Sequence, residues 1–353
     1  MNIPHATEDY ETWLGGQVRL VQSDLGLKHE LMAQDAFSFL RATFYRWIQL
    51  FPLLCPKLAD APTVLAVGDL HVENYGTWRD AEGRLVWGIN DFDEAFPLPY
   101  TSDLVRLATS VGLSQLSLDP AEAGEAILAG YFDGLENGGR PFVLSETNRW
   151  LRDAVTSGLR DPTLFWEKLA ALPTVKRVPA EVMSLLKDSL PERGLDFRVA
   201  QRQAGLGSLG RERFTAITEW RGGNIAREAK ALAPSASVWP GGLPDKTIYY
   251  GRVLQNAVRA SDPFVQVRGK WVLRRLSPYC SRIELAQLPR GHDEEKLLRA
   301  MGRELANVHL GSAGGAAPIR SCLELLPDDW LRTASCLAAT RVQQDYETFL
   351  RGS

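Results

Sequence analysis

A chain of 353 residues, 45% of them apolar, can bury a sizeable core and divide into one large or two smaller domains. Its net charge of -3, with no dense Lys/Arg run, gives no basis for a nucleic-acid or membrane partner. No stretch approaches the roughly eighteen apolar residues of a spanning helix, and residues 1–14 lack the apolar core of a secretory signal. Cys55, Cys280, Cys322 and Cys336 lie far apart without metal-ligand spacing. They are expected as buried thiols in a reducing compartment, and the protein is expected in the cytoplasm.

After a polar N-terminal arm, residues 28–50 predict a helix, because Leu31, Ala36, Phe37, Leu40, Phe44, Trp47 and Ile48 recur at steps of three and four. Arg41 lies on or beside that stripe. Residues 61–67 form an apolar run typical of a short buried strand. Strands are expected at 76–79 and 84–89, turned by Asp80-Ala81-Glu82-Gly83. Asp103 is placed as the N-cap of a helix over 104–118. Helical segments follow at 148–159 and 180–190, with Pro173, Pro179 and Pro191 as punctuation. The character changes near Leu195. Strands are expected at 197–204 and 213–220, and a third at 224–230, where Ala226, Glu228 and Ala229 pull toward helix. A helix over 247–260, a hairpin of 264–267 with 271–276, and helices over 297–310 and 331–350 complete the chain. His309, at the end of one of these, is expected as a satisfied structural histidine.

Chemistry concentrates in two acidic clusters. Gly68-Asp69-Leu70-His71-Val72-Glu73-Asn74 places an Asp and an Asn five residues apart after a buried strand, and Asn90-Asp91-Phe92-Asp93-Glu94 follows a hairpin. Phosphoryl transfer from ATP uses one carboxylate to receive the acceptor's proton, and an amide oxygen with further carboxylate oxygens to hold magnesium. The same residue types are also ordinary in polar turns at strand ends. Gly205-Leu206-Gly207-Ser208-Leu209-Gly210 has the G-x-G-x-x-G spacing, open to a dinucleotide fingerprint, a flap between antiparallel strands, or a flexible turn. The β-branched and aromatic alternation after it favours the flap. Lys230, twenty residues past the last glycine, stands where a flap-type lobe keeps its phosphate-pairing lysine.

Gly68-Asp69-Leu70-His71 with Asn74 resembles the catalytic loop of aminoglycoside and choline phosphotransferases, relatives of protein kinases. Asn90-Asp91-Phe92-Asp93-Glu94, with Asp103-Leu104-Val105-Arg106-Leu107, looks more specifically like the bacterial domain-of-unknown-function family 2252. The resemblance implies an α+β, two-lobed protein-kinase-like fold, circularly permuted because the glycine loop follows the catalytic loop. Residues 1–195 would carry the catalytic and metal part, 196–281 the small β-rich nucleotide lobe, and 282–353 the returning helices. It implies Asp69 as the base, Asn74, Asp91 and Asp93 as magnesium ligands, Gly205, Gly207, Ser208 and Gly210 as the phosphate flap, and Lys230 on the phosphates. The helix over 247–260 holds neither Asp nor Glu, so Gln255 would replace the usual acidic partner of that lysine. The implied function is ATP- and magnesium-dependent transfer to a small-molecule or protein hydroxyl. A nucleotide-binding pseudokinase regulator and a nucleotidyl transferase are the alternatives. One nucleotide must touch both halves, so Lys230 and Asp91 should face each other across a cleft. Residues 205–210 should form a β-turn above it, and 276–280 its adenine-side wall.

Overall fold

Two breaks divide the helix expected over residues 28–50 into Gln22–Met32, Ala36–Ala42 and Phe44–Leu54. Asp35 causes the first: its carboxylate accepts from the Ser38 amide at 2.7 Å, an N-cap that starts a new helix. At Thr43 the backbone leaves the helical region (φ -122, ψ 43), and the chain bends around Phe39, Leu40, Phe44 and Trp47, all buried. The computed structural model describes residues 2–144, 147–157, 161–242, 245–280 and 293–352. The architecture is α+β, with about 49% helix and small antiparallel sheets.

Strand β1 (Thr63–Ala66) is followed by β2 (Tyr75–Arg79), β3 (Leu85–Ile89), β4 (Phe96–Pro99) and β5 (Phe142–Val143). β1 pairs with β4, and β2, β3 and β5 form a three-stranded sheet. Next come β6 (Arg198–Gln201), β7 (Arg213–Trp220), β8 (Gly223–Ala231), β9 (Gln266–Arg268) and β10 (Trp271–Leu276), which assemble a five-stranded antiparallel sheet in the order β6-β7-β8-β10-β9. The helical pull of Ala226, Glu228 and Ala229 loses because β8 is central, hydrogen-bonded to β7 on one side and β10 on the other. Tertiary pairing overrides local propensity there.

The period-two alternation of β8 sorts its side chains. Ala229 and Ala231 face a small core with Phe214, Ala216, Trp271, Leu273, Val182 and Leu186. Glu228 and Lys230 therefore face the opposite side, toward the acidic loops. Val182 and Leu186 belong to the helix Ala180–Asp188, so this sheet unit begins before the boundary expected at residue 195. The other boundary, at 281/282, lies outside the described residues.

The remaining helices surround a larger core. Helix Tyr100–Leu113 starts earlier than expected, which corrects Asp103 from an N-cap to a residue inside the first turn. The helix expected over 247–260 is only Tyr250–Asn256. Trp330–Gly352 encloses the positions expected at 331–350, while Asp293–His309 starts before the expected 297–310 and ends one residue short of it. Of the four thiols only Cys55 is buried, and Cys336 is exposed. Among the described residues no helix is long and apolar enough to cross a membrane.

Candidate functional site

Strand β1 delivers the chain to Gly68, whose φ of +83 turns it sharply. A Cβ at Gly68 would collide with the Glu94 carbonyl, so the two acidic loops approach as closely as they do only over a glycine. Asp103, fully buried, fixes this turn by accepting from the amides of Val67 (2.7 Å) and Gly68 (3.0 Å). His309 Nε2 lies 3.1 Å from the same carboxylate and its Nδ1 2.8 Å from the Tyr131 hydroxyl. His309 is thus a satisfied structural histidine, as its position at a helix end suggests.

Asn74 clasps the two loops together. Its Nδ2 donates to the carbonyls of Asp69 (3.3 Å) and Asp91 (3.0 Å), and its Oδ1 accepts from the Asp91 amide at 3.2 Å. The carbonyl oxygen keeps a second lone pair. Asp69 is bound by Arg106, a fully buried guanidinium that also donates to the Leu40 carbonyl at 2.8 Å and lies over the rings of Phe44 and Trp47. Burial pushes the Asp69 carboxyl above its ordinary value, against the pull of Arg106 and Arg41.

Residues 19–128 match the family "Uncharacterized protein conserved in bacteria (DUF2252)". The matched segment holds Asp69, Asn74, Asp91, Asp93, Asp103 and Arg106, and it ends before β6. Searches of curated proteins and of solved structures found no match.

Across from the matched segment, β8 supplies Lys230. Its ammonium lies 3.1 Å from both Asp91 oxygens and 2.6 Å from the Asp93 carboxylate, although 137 residues or more separate them in the chain. Lys230 and Asp91 are therefore brought together, in a direct ion pair where a cleft between them is expected from the sequence. Burial is the largest influence on the Asp91 carboxyl and would raise it. The charge of Lys230, the hydrogen bonds to Asp93 and Lys230 and the charge of Arg274 together outweigh it and hold the group well below the usual range. Asp93 moves the other way, pushed up by burial and by the neighbouring Asp91 charge. The pair is thus split into one firm carboxylate and one group that releases its proton reluctantly. Gln255 makes no hydrogen bond to Lys230; the acidic partners come from the loop before β4, which corrects the expectation drawn from the helix.

The glycine segment connects antiparallel strands β6 and β7, as a flap does. Its centre is a short 3-10 turn, Leu206–Ser208, where a simple β-turn is expected. Gly207 lies against Asp69: a Cβ there would stand 3.0 Å from Asp69 Oδ2 and from the Arg41 carbonyl. Gly205 and Gly210 flank the turn, and Ser208 is held by Arg213 at 2.6 Å.

Two cavities share Asn90, Asp91 and Gly205. The smaller, about 90 Å³, contains Asp69, Asn74, Asp93, Gly207 and Ser208. The larger, about 420 Å³, is walled by Arg202, Arg213, Arg274 and Gln255, with Leu276, Ser277 and Cys280 of the segment 276–280 also in its lining. Those arginines converge on Glu228, fully buried on β8, at 2.8, 3.0 and 2.6 Å. Three cations against one carboxylate leave the wall positive. Sequence reasoning missed this cluster and Arg106. The signal for part of it was available: Glu228 and Lys230 stand two apart, each followed by an alanine.

Among the described residues no three His, Cys, Asp or Glu side chains converge as a ready metal centre. Asp91, Asp93 and Asn74 do line the same small cavity, and hard oxygen donors of this kind suit magnesium. Asp91, ionised and about one-third exposed, opens to both cavities.

Beneath this site, Glu304 is buried under β3 and accepts from the Ile89 amide at 3.3 Å and from Asn307 Nδ2 at 2.8 Å. Burial pushes its carboxyl from 4.5 up to about 7, against the opposing charge of Arg259. A raised acid binds its proton more tightly in the folded state. This stabilisation is therefore fully present below pH 4.5 and is lost as pH rises through about 7. The expected loss between pH 5 and 8 is on the order of 3 kcal/mol. Urea unfolding of the protein and of Glu304→Gln across that range checks it: the variant should show a flatter dependence, and parallel curves would assign the slope elsewhere.

Proposed function

We propose that the protein is an ATP- and magnesium-dependent phosphotransferase with a circularly permuted, protein-kinase-like arrangement of its two parts. The observation that carries this reading is the position of Asp91. It joins a positive cavity large enough for a nucleotide to a small cavity that contains a second carboxylate, Asp69. A triphosphate laid along the arginine wall would bring its terminal phosphate to that junction. The order of the chain supports permutation, since the glycine flap and Lys230 follow the acidic loops in sequence yet contact them in space.

Arg202, Arg213 and Arg274 bind and orient the phosphates, while Lys230 exchanges its carboxylate partners for phosphate oxygens. Asn74, Asp91 and Asp93 would hold magnesium, which when bound neutralises phosphate charge. Asp69 accepts the proton of the acceptor hydroxyl on the oxygen that Arg106 does not hold. As that O–H breaks, the acceptor oxygen bonds to the γ-phosphorus, and the bond to ADP breaks with its electron pair leaving on ADP. One feature favours a second reading, a nucleotide-binding regulator: Asp69 is tied to a buried guanidinium, as a purely structural carboxylate would be.

Lys230→Met tests the nucleotide site that both readings share. Calorimetry with Mg·ATP should show affinity falling roughly 10- to 100-fold, about 1.5–3 kcal/mol for a charged hydrogen bond. Equal affinity in protein and variant would remove Lys230 from the site.

A further inference from the structure

In the small cavity, the charged side chains of the motif loops and flap have counter-ions. Arg41 lies 2.7 Å from Glu73, Arg211 lies 2.8 Å from Glu94, Asp69 is held by Arg106, and Asp91 and Asp93 share Lys230. Lys28 is the exception. It lines the same cavity from the helix Gln22–Met32 and is only 2% exposed. Among the described residues its ammonium makes no hydrogen bond and no ion pair. It lies over the rings of Tyr10 (6.0 Å) and Tyr45 (5.8 Å). A cation buried without a contacting counter-ion is costly, and two aromatic faces repay only part of that cost. Burial pushes the Lys28 amine below its ordinary value, by more than the charges of Glu11, Glu94 and Asp69 raise it.

We infer that the small cavity accepts a short hydroxy acid, its carboxylate paired with Lys28 and its hydroxyl presented to Asp69. The inference rests on the phosphotransferase reading for the role of the hydroxyl, while the anion site stands on Lys28 alone. Size limits the ligand. A cavity of about 90 Å³ holds roughly half a dozen waters at ~10–15 Å³ each, which suits a molecule of a few carbons better than a sugar or an aminoglycoside. Charge limits it too: a neutral alcohol would leave Lys28 as it is, and a polycation would add to it. A protein serine reaching this depth would also bring no charge to Lys28.

The test uses the full-length protein with glycolate, lactate and glycerate as probes, each against its neutral counterpart: ethylene glycol, propane-1,2-diol and glycerol. Ligand-observed NMR measures binding with the magnesium complex of a non-hydrolysable ATP analogue present, and binding of a fluorescent ATP analogue is followed in parallel samples. The expected result is at least tenfold tighter binding of one acid than of its neutral counterpart. Lys28→Met should abolish that preference and Lys28→Arg should retain it in part, with melting curves showing both folded. The absence of any preference in the unaltered protein overturns the inference, whatever the variants do. A preference that persists in folded Lys28→Met overturns it as well. Nucleotide binding that depends on Asp91 but comes without acid preference removes the hydroxy-acid assignment and leaves the phosphotransferase reading. Acid preference without nucleotide binding does the reverse.

Discussion

Asp91→Asn is expected to reduce magnesium-dependent ATP affinity by two orders of magnitude or more while leaving the protein folded. An amide cannot offset a divalent charge as a carboxylate does, and Asp91 is the more firmly ionised member of its pair. The fold should survive because Asp93 still accepts from Lys230 at 2.6 Å, so no buried ammonium is left without a counter-ion. Calorimetry with ATP, in the presence and absence of magnesium, separates the metal-dependent part. Equal affinities with magnesium would reduce Asp91 to a turn residue with an ion pair.

Asp69→Asn is expected to lower kcat by roughly 10²–10⁴, the usual contribution of a positioned base, with ATP affinity within a few-fold of the parent. The base touches the acceptor and not the nucleotide, so the loss belongs in turnover. Asn is the informative replacement because its carbonyl can still accept from Arg106. Asp69→Ala would leave that guanidinium buried and unpaired, adding a stability cost of about 3–5 kcal/mol that would obscure the kinetic effect. Undiminished turnover in Asp69→Asn would make Asp69 a structural anchor for Arg106 and strengthen the regulator reading.

What the sequence revealed and what it hid follow from how far apart the interacting groups lie. Asp69 and Asn74 stand five apart, and Asp91 follows after one hairpin, so local spacing carries that part of the site. The strands around the glycine segment are legible for a similar reason: residues 213–220 alternate clearly and fold as β7. Arg106, Lys28 and the arginines around Glu228 were hidden, because a lone Arg or Lys on a helix or strand looks the same whether it is solvated or buried. Only tertiary packing places Arg106 over Phe44 and Trp47. The search for a partner of Lys230 in the helix over 247–260 failed for a related reason. Its acidic neighbours, Asp91 and Asp93, are already in the sequence motif but more than a hundred residues away. Asp103 shows the limit of capping rules: an Asp near a helix start was assigned to its own helix, whereas its carboxylate serves the amides of Val67 and Gly68.

The most direct measurement follows the phosphates of ATP. The protein, with magnesium and a fraction of bacterial small metabolites, is incubated with ATP labelled at either the α or the γ phosphate. Our account predicts ADP as the product, with the γ label in a new phosphorylated small molecule and the α label confined to nucleotides, all of it lost in Asp69→Asn. Release of pyrophosphate with transfer of the α label would establish nucleotidyl transfer in its place. ATP that binds yet remains intact with every fraction would contradict the phosphotransferase assignment.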